Sequence, residues 1–173
     1  MKYILTIITI MVTQAGLAQT DFDPEAQLKK LNIELGKVSP PVATYVKAVQ
    51  TGNLVYLSGH VPDEVPGKRT RGKVGSQLSV DEGKEAARIT AVSLITTLKW
   101  HLGDLKKVKR IVKVFGMVNA DPSFTQHPVV MNGCSDLLVA VFGERGKHAR
   151  SAIGMGSLPL DAAVEIEMIV EVE

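Results

Sequence analysis

The C-terminal segment from Ala162 to Glu173 alternates strictly between two kinds of side chain. One side of the alternation is apolar and holds Val164, Ile166, Met168, Val170 and Val172. The other side is mostly acidic and holds Glu165, Glu167, Ile169 and Glu171. A period of two with β-branched residues is typical of a half-buried strand. The segment therefore predicts a strand that turns one face to a core, which limits the chain to folds built on a sheet.

The preceding segment, His148–Gly154, predicts a second strand, and Pro159 lies in the connection between the two. Two strands joined by a short turn favour an antiparallel hairpin. Arg150 lies inside this small, apolar strand, where a guanidinium group needs a carboxylate or phosphate partner. Two alternatives are open. The partner is either Glu165 or Glu167 across the hairpin, or it is a bound ligand.

Two amphipathic helices are predicted upstream. A capping box at Ser79–Glu82 begins the first, and Gly103 ends it. The second covers 125–143, with Pro128 near its start. Further strands are predicted at 45–49, 54–58 and 107–119. Helices on one face of a mixed sheet make an α+β domain.

The predicted strand at 107–119 is apolar on both sides. We assign Val112, Val114 and Val118 to one side and Ile111, Phe115 and Met117 to the other. The helices can cover only one of these sides, so we expect another subunit to cover the second. Within the helices, Trp100 is expected to pack at the edge of the buried stripe, and Cys134 is expected to be a packed small hydrophobe.

The N-terminus has the pattern of a secretory signal peptide over residues 1–18. Lys2 precedes a short apolar run, which ends in Gly16-Leu17-Ala18. The pattern predicts cleavage after Ala18 and export to the periplasm, with no membrane attachment afterwards. An uncleaved anchor or a misassigned start is the alternative. Residues 19–40 are then an N-terminal extension with a short helix at 25–35, and residues 41–173 are the main domain.

Charge and cysteine content exclude several classes of function. The formal net charge is +2, and loss of Lys2 with the signal peptide leaves +1, so no general attraction to nucleic acid is expected. The single Cys134 cannot form an intrachain disulfide. The four histidines have no zinc-type spacing among themselves or with Cys134, so no metal site is predicted.

These motifs, in this order, resemble the YjgF/RidA family of reactive-intermediate deaminases, also called endoribonuclease L-PSP, whose fold is chorismate-mutase-like. The matching residues are Tyr45, Ser58-Gly59, Asn132, Arg150-Ser151, Leu158-Pro159 and Val164-Glu165-Ile166-Glu167. The segment 31–41, with residues 132–138 and 142–144, is similar to the longer L-PSP/chorismate-mutase-like branch.

The resemblance implies a homotrimer with two helices on one face of each sheet and with clefts between the subunits. In such a cleft Arg150 is expected to bind the carboxylate of a small metabolite, and Glu165 to position or activate water. The residues expected to line it are Tyr45, Ser58, Gly59, Asn132, Ser151 and Ala152. Better-known members of the family hydrolyse enamines and imines derived from amino acids to 2-keto acids and ammonia, without a cofactor.

Several of these residues have simpler interpretations. Ser58 is equally well explained as a strand-end hydroxyl bound to the backbone, and Tyr45 as a packing residue. His60 is either an exposed loop residue or a proton shuttle. Ala152 stands where many deaminases carry cysteine, and Gly154 replaces a larger residue. Both changes are expected to widen the site.

Three functions compete. The first is a cofactor-free enamine or imine deaminase, and the second is a non-catalytic trimer that binds small carboxylates or a partner protein. The third is a ribonuclease. The ribonuclease is disfavoured because the sequence has no histidine pair at a suitable spacing and no strip of aromatic residues for stacking bases.

Overall fold

The computed structural model describes residues 22–38 and 44–173, and the predicted signal peptide lies outside them. The described part forms three α-helices and a sheet of five strands. The helices are α1 (Pro24–Lys30), α2 (Val80–Leu102) and α3 (His127–Phe142). The strands are β1 (Ala48–Thr51), β2 (Leu54–His60), β3 (Val108–Asn119), β4 (Ala149–Met155) and β5 (Val164–Val172).

The strand order is β1-β2-β5-β3-β4, with β3 and β4 parallel and all other neighbours antiparallel. The predicted hairpin of β4 and β5 is wrong, because β3 lies between them. Alternation in the sequence identifies a strand but not its neighbours. β5 enters the middle of the sheet, where β2 and β3 pair with both of its edges. β1 and β2 form a hairpin with Gly52 at a φ of 56° in its turn, and β1 begins at Ala48, three residues later than the predicted strand.

The two long helices pack on the same face of this mixed sheet, which confirms the predicted α+β class. α2 begins in the predicted capping box, where Ser79 Oγ accepts from the Glu82 N–H and Glu82 Oε2 accepts from the Ser79 N–H. It ends at Gly103, whose φ of 75° is left-handed. The helices cross closely at Gly133 of α3, where a Cβ would overlap the backbone oxygen of Lys84 in α2.

The two sides of β3 differ from the prediction near its start. Ile111 is buried on the helix side with Val114, while Val112 is only half-buried. The pairing of β3 with β5 shifts between Ile111 and Lys113, and this irregularity reverses the alternation of the residues before it. The face away from the helices, called the open face below, presents Phe115 and Met117 next to Ile153 of β4. Within the described chain, no helix covers this face.

The N-terminal extension is less helical than predicted. α1 ends at Lys30, and Asn32 has a left-handed φ of 53°. Residues 33–38 then continue without helix or strand beside α2. Trp100 does not pack at the edge of the α2 stripe as predicted, because 67% of it is exposed. Among the described residues, no helix is both long and apolar enough to cross a bilayer.

Candidate functional site

The predicted site residues fall into two groups at different places in the chain. The first, called the cavity group, is Tyr45, Ser58, Gly59 and Glu165, which line one cavity of about 1020 Å³. The second, called the clamp group, centres on Arg150 of β4 and Asn132 of α3. β5 and β3 lie between β2 and β4, and neighbouring strands are roughly 4.8 Å apart. About 14 Å therefore separate β2 from β4, and about 10 Å separate β4 from β5, which carries Glu165. A single chain therefore does not bring the two groups around one small ligand.

The cavity group is built where β2 pairs irregularly with β5. The register shifts between Leu57 and His60, which leaves Ser58 and Gly59 outside the regular pairing. A Cβ at Gly59 would overlap Glu165 Oε1, so only glycine lets this carboxylate lie against the β2 backbone. Burial, and after it the nearby Glu167, raises the pKa of Glu165 above its ordinary value. A carboxylate with a raised pKa is a stronger base, which suits it to take a proton from water.

His60 proves to be a buried residue and not the exposed loop histidine that was one of its two interpretations. It is 3% exposed, with Nδ1 2.7 Å from the Ser58 carbonyl oxygen and Nε2 2.8 Å from Thr97 Oγ1. A carbonyl only accepts, so Nδ1 carries the proton and Nε2 accepts from the Thr97 hydroxyl. Burial lowers the pKa of His60, which keeps the ring neutral. His60 thus fixes the irregular end of β2 to α2.

Ser58 and Tyr45 both line the cavity, but only the Ser58 side chain is tied to the backbone. The Ser58 hydroxyl donates to the Lys47 carbonyl oxygen at 3.3 Å, which is the backbone contact of its simpler interpretation. Ser58 still lines the cavity. Tyr45 precedes β1 and is 41% exposed. Its ring is therefore available at the cavity surface.

The clamp group holds Arg150 through three neutral oxygens. Nη1 donates to Asn132 Oδ1 and to Ser135 Oγ, each at 3.0 Å, and Nη2 donates to the Pro128 carbonyl oxygen at 3.2 Å. Among the described residues, no carboxylate pairs with Arg150, so an ion pair with Glu165 or Glu167 is not what the fold forms. The half-buried guanidinium keeps its charge without a counter-ion from its own chain.

The hydrogen bonds of the clamp group continue to a second histidine. His148 Nδ1 lies 2.6 Å from the Gly146 carbonyl oxygen and Nε2 lies 3.0 Å from Ser135 Oγ. Since the carbonyl accepts, His148 donates from Nδ1, Ser135 donates to Nε2, and Arg150 donates to Ser135. The proton positions along this path are all determined by its two ends. Burial, and more weakly the Arg150 charge, lower the pKa of His148.

The sequence interpretation missed Ser135 and His148. Pro128, Asn132 and Ser135 are spaced four and three residues apart, which places them on one face of α3. The available signal was the pair of polar side chains, Asn132 and Ser135, on the same face of this mostly apolar helix. His148 could not be found in the same way, because its contact with Ser135 depends on how β4 lies against α3.

Comparison with known proteins identifies the family of this chain. The profile of the family described as "YjgF/chorismate mutase-like, putative endoribonuclease" matches residues 25–172. The chain belongs to the YjgF/RidA family. The resemblance drawn from the sequence motifs is thereby confirmed.

Relatives across the family support this assignment. Protein TCP17 of Trypanosoma cruzi is 43% identical over 147 residues, which are 84% of this chain and 92% of that protein. The 2-iminobutanoate/2-iminopropanoate deaminase of Dermatophagoides farinae is 31% identical over 134 residues, which are 77% of this chain and 89% of that one. A solved structure from Shewanella oneidensis, described as "a putative endoribonuclease", superposes with a TM-score of 0.82 at 30% identity. The match covers 87% of this chain and 99% of that one.

The two positions that depart from the YjgF/RidA pattern have different consequences. Ala152 lies opposite Gly116 of β3, and its methyl group packs against the core where many deaminases carry a cysteine side chain. Gly154 was expected to widen the site, but it does not. A Cβ at Gly154 would overlap His127 Nε2, so the imidazole already fills that space. The ring of Phe124 packs edge-on against His127, with centroids 5.3 Å apart.

The side chain of Ser151 points away from that of its neighbour Arg150. Neighbouring residues of β4 point to opposite faces of the sheet, so Ser151 lies on the open face and Arg150 on the helix face. Ser151 Oγ accepts from Lys113 Nζ at 2.9 Å. Cys134 is fully buried, and burial raises the pKa of its thiol to about 12, as expected of a packed hydrophobe. Within residues 22–38 and 44–173, no three His, Cys, Asp or Glu side chains converge as a metal site.

Proposed function

We propose that this protein is a cofactor-free deaminase that hydrolyses imines or enamines of small amino-acid-derived carboxylates. The observation that carries the proposal is the state of Arg150. Its guanidinium is half-buried, is held by three neutral oxygens and has no carboxylate partner in the described chain. A charge in such a setting is costly unless an anion joins it, and a substrate carboxylate can do so with two parallel hydrogen bonds.

The proposed site forms between two copies of the chain. The clamp group of one copy and the cavity group of another would face the same substrate. A second copy is needed because the two groups of a single chain lie too far apart to contact one small ligand. The open face supplies a reason to associate, because Phe115 and Met117 lie there beside Ile153, which is 40% exposed. Burial of such a face in a homotrimer, as proposed for this protein, removes apolar surface from water.

The chemistry needs little beyond position and a base. With the substrate carboxylate on Arg150, the imine carbon would lie over Glu165, which takes a proton from water as the water oxygen bonds to that carbon. That proton then passes from Glu165 to the nitrogen, so the tetrahedral carbon bears a hydroxyl and an amino group. Glu165 next takes the hydroxyl proton and gives it to the amino nitrogen, the carbon–nitrogen bond breaks, and ammonia leaves as the carbonyl forms. The 2-imino acid and one water thus become a 2-keto acid and ammonia.

A non-catalytic carboxylate binder is the second candidate, and the bonding of Ser58 favours it. Its hydroxyl is engaged by the Lys47 carbonyl, so the cavity group offers Glu165 alone as a base among its four members. The two candidates share Arg150 and differ at Glu165. Glu165→Gln would remove turnover in a deaminase and leave the binding of a 2-keto acid nearly unchanged in either case.

The decisive variant is Arg150→Ala, with Lys147→Ala as the matched control. Lys147 is a nearby exposed cation that pairs with Glu144 and not with the clamp group. A hydrogen bond to a charged group contributes roughly 1.5–3 kcal/mol, so loss of the clamp should weaken binding of a 2-keto acid at least about tenfold. Hydrolysis of imines made in situ by an amino-acid oxidase should fall at least as far.

Calorimetric affinity, ammonia release and melting temperature are measured on the same preparations. Arg150→Ala protein that stays assembled and binds a 2-keto acid as well as the wild type would contradict the proposal. Wild-type protein that binds the keto acid but never accelerates imine hydrolysis would identify the non-catalytic binder.

Export with cleavage after Ala18 stays a separate prediction, which the mass of the mature protein from its native host would check.

A further inference from the structure

The cavity extends well beyond the cavity group. From Gly59 and Glu165 it continues along α2 and along residues 32–38 of the N-terminal extension. Its volume of about 1020 Å³ is at the upper end of ligand pockets, which run from roughly 300 to 1,000 Å³. An imino acid with a side chain of one or two carbons would fill a small part of it. The extension therefore encloses space that the smallest substrates leave unused.

The wall away from Glu165 is largely apolar. Ile89 and Val92, one helical turn apart, line it from α2, and Ile33 and Val38 line it from the extension. Ile33 and Val92 are partly buried and pack against the core, so this wall is held in place. We call this part of the cavity the apolar trough.

Two of the charged residues that line the cavity beside the trough, Arg88 and Asp63, are already paired. Arg88 bonds to Glu85 through two of its nitrogens, at 3.0 and 3.3 Å. Asp63 accepts from the Ser93 hydroxyl at 2.6 Å. Arg88 and Asp63 therefore do not call for a charged ligand in the trough. Glu34 and Lys37 of the extension also line the cavity, and both are exposed to water.

A strained turn adds an apolar side chain to the lining of the cavity. Leu160 and Asp161 both have left-handed backbones, with φ of 56° and 53°. Such conformations are unfavourable for residues other than glycine and persist only where surrounding contacts impose them. Here Asp161 Oδ1 accepts from Asn119 Nδ2 at 3.0 Å, and its carbonyl oxygen accepts from the Gly72 N–H at 2.8 Å. The turn leaves Leu160 75% exposed, where it lines the cavity.

We propose that the apolar trough and Leu160 form a side-chain subsite, and that the substrates are 2-imino acids with branched or aromatic apolar side chains. This inference rests on the proposed deaminase function and specifies its substrate class. The carboxylate would bind Arg150 of another copy, the imine carbon would lie at Glu165, and the side chain would extend along Val92 toward Ile33. An imino acid derived from leucine, methionine or phenylalanine fits this arrangement better than one derived from alanine.

The test compares imines made from leucine and from alanine by the same oxidase, with semicarbazide trapping the imine that has not hydrolysed. Wild type is expected to show a higher kcat/KM for the leucine-derived imine. Val92→Phe fills the trough, and Leu160→Asn removes the exposed apolar side chain where asparagine tolerates the left-handed backbone. A few methylene groups in an apolar pocket change selectivity by roughly tenfold or more, so Val92→Phe should lower the leucine-to-alanine ratio of kcat/KM about tenfold. Leu160→Asn should lower it severalfold.

Leu31→Ala is the matched control, because Leu31 belongs to the same extension but lines a different cavity. It should leave the selectivity ratio unchanged. A wild type that prefers the alanine-derived imine, or Leu160→Asn protein with the wild-type ratio, would overturn the subsite even where hydrolysis is fast. If no imine is hydrolysed, the deaminase proposal fails separately. The subsite is then tested by calorimetry, which must show tighter binding of 4-methyl-2-oxopentanoate than of pyruvate, and this difference must shrink in Leu160→Asn.

Discussion

At the scale of single residues, the clamp group shows how a cation is held ready without a counter-ion. Asn132, Ser135 and Pro128 present neutral oxygens to Arg150 from one face of α3. Neutral acceptors orient a guanidinium but do not neutralise it, so its attraction for an anion is retained. His148 stands behind Ser135 and must be neutral to accept its hydroxyl proton. The orientation of the clamp therefore depends on the protonation of His148, which bonds to Ser135 and not to Arg150 itself.

The lowered pKa of His148 predicts a pH dependence of stability. In the unfolded chain this histidine takes up a proton near its ordinary value of 6.5, whereas in the folded chain it does so only at lower pH. Its contribution is fully present above about pH 6.5 and is lost as the pH falls toward the lower folded value. Urea unfolding at pH 7 and pH 5 should show a smaller loss of free energy of unfolding in His148→Gln than in the wild type.

His101→Gln provides the control, because His101 bonds to Gln50 at the surface and has no contact with the clamp group. It should keep the part of the loss between pH 7 and pH 5 that His148 contributes. A His148→Gln variant with the full wild-type loss would show that His148 binds its proton equally well in the folded and unfolded chains. The buried His60, whose pKa is also lowered, contributes a loss of the same sign that both variants keep.

At the scale of elements, the position of α3 decides the geometry of the clamp group. α3 supplies all three oxygens to Arg150, and it is seated by its crossing with α2 at Gly133. Met131 also packs on Gly116 of β3, where a Cβ would overlap its side chain. Two missing side chains thus let α3 approach both α2 and the sheet.

Gly133→Ala tests this close crossing. Alanine is the better helix former by about 1 kcal/mol, but its Cβ would overlap the Lys84 backbone oxygen and force the helices apart. Overpacking of this kind costs roughly 1–3 kcal/mol, so we expect a net loss of stability in urea unfolding. Gly156→Ala is the control, since a Cβ there meets no atom within 4 Å. If Gly133→Ala were as stable as the wild type, the helices would have freedom to separate.

At the scale of the whole molecule, the open face of the sheet and the separation of the two site groups point to the same assembly. The helices cover one face of the sheet, and apolar side chains of β3 and β4 lie on the other. Ser58 and Gly59 on β2 lie about 14 Å across the sheet from β4, which carries Arg150, and Glu165 on β5 lies about 10 Å from β4. One association of copies would bury the open face and complete the proposed site.

Ile153→Lys places a charge on the open face and should prevent assembly while each chain stays folded. Burial of an unpaired lysine is costly, but Ile153 is already exposed in the single chain. Light scattering should show a trimer for the wild type and a monomer for Ile153→Lys, and the proposed activity should be lost with assembly. Val139→Lys, on the exposed side of α3, is the control and should assemble normally. A wild-type monomer at micromolar concentration would contradict the assembly.

The local features of this protein could be predicted from its sequence because neighbouring residues determine them. The capping box at Ser79 and Glu82 begins α2 as predicted, Gly103 ends it, and the C-terminal alternation is a strand. The family and the α+β class follow from the order of such features. Arg150 was identified as a charge in an apolar strand for the same local reason.

Tertiary structure alone decided which of these elements meet. Alternation does not specify a partner strand, so only the folded sheet shows that β3 separates β4 from β5 and thereby keeps Arg150 away from Glu165. The irregular pairing that exposes Gly59 to Glu165, the burial of His60 and the filling of the space at Gly154 by His127 all arise from contacts between distant parts of the chain. A periodic pattern records which side of an element is apolar, whereas the shape and charge of a site depend on what packs against that side.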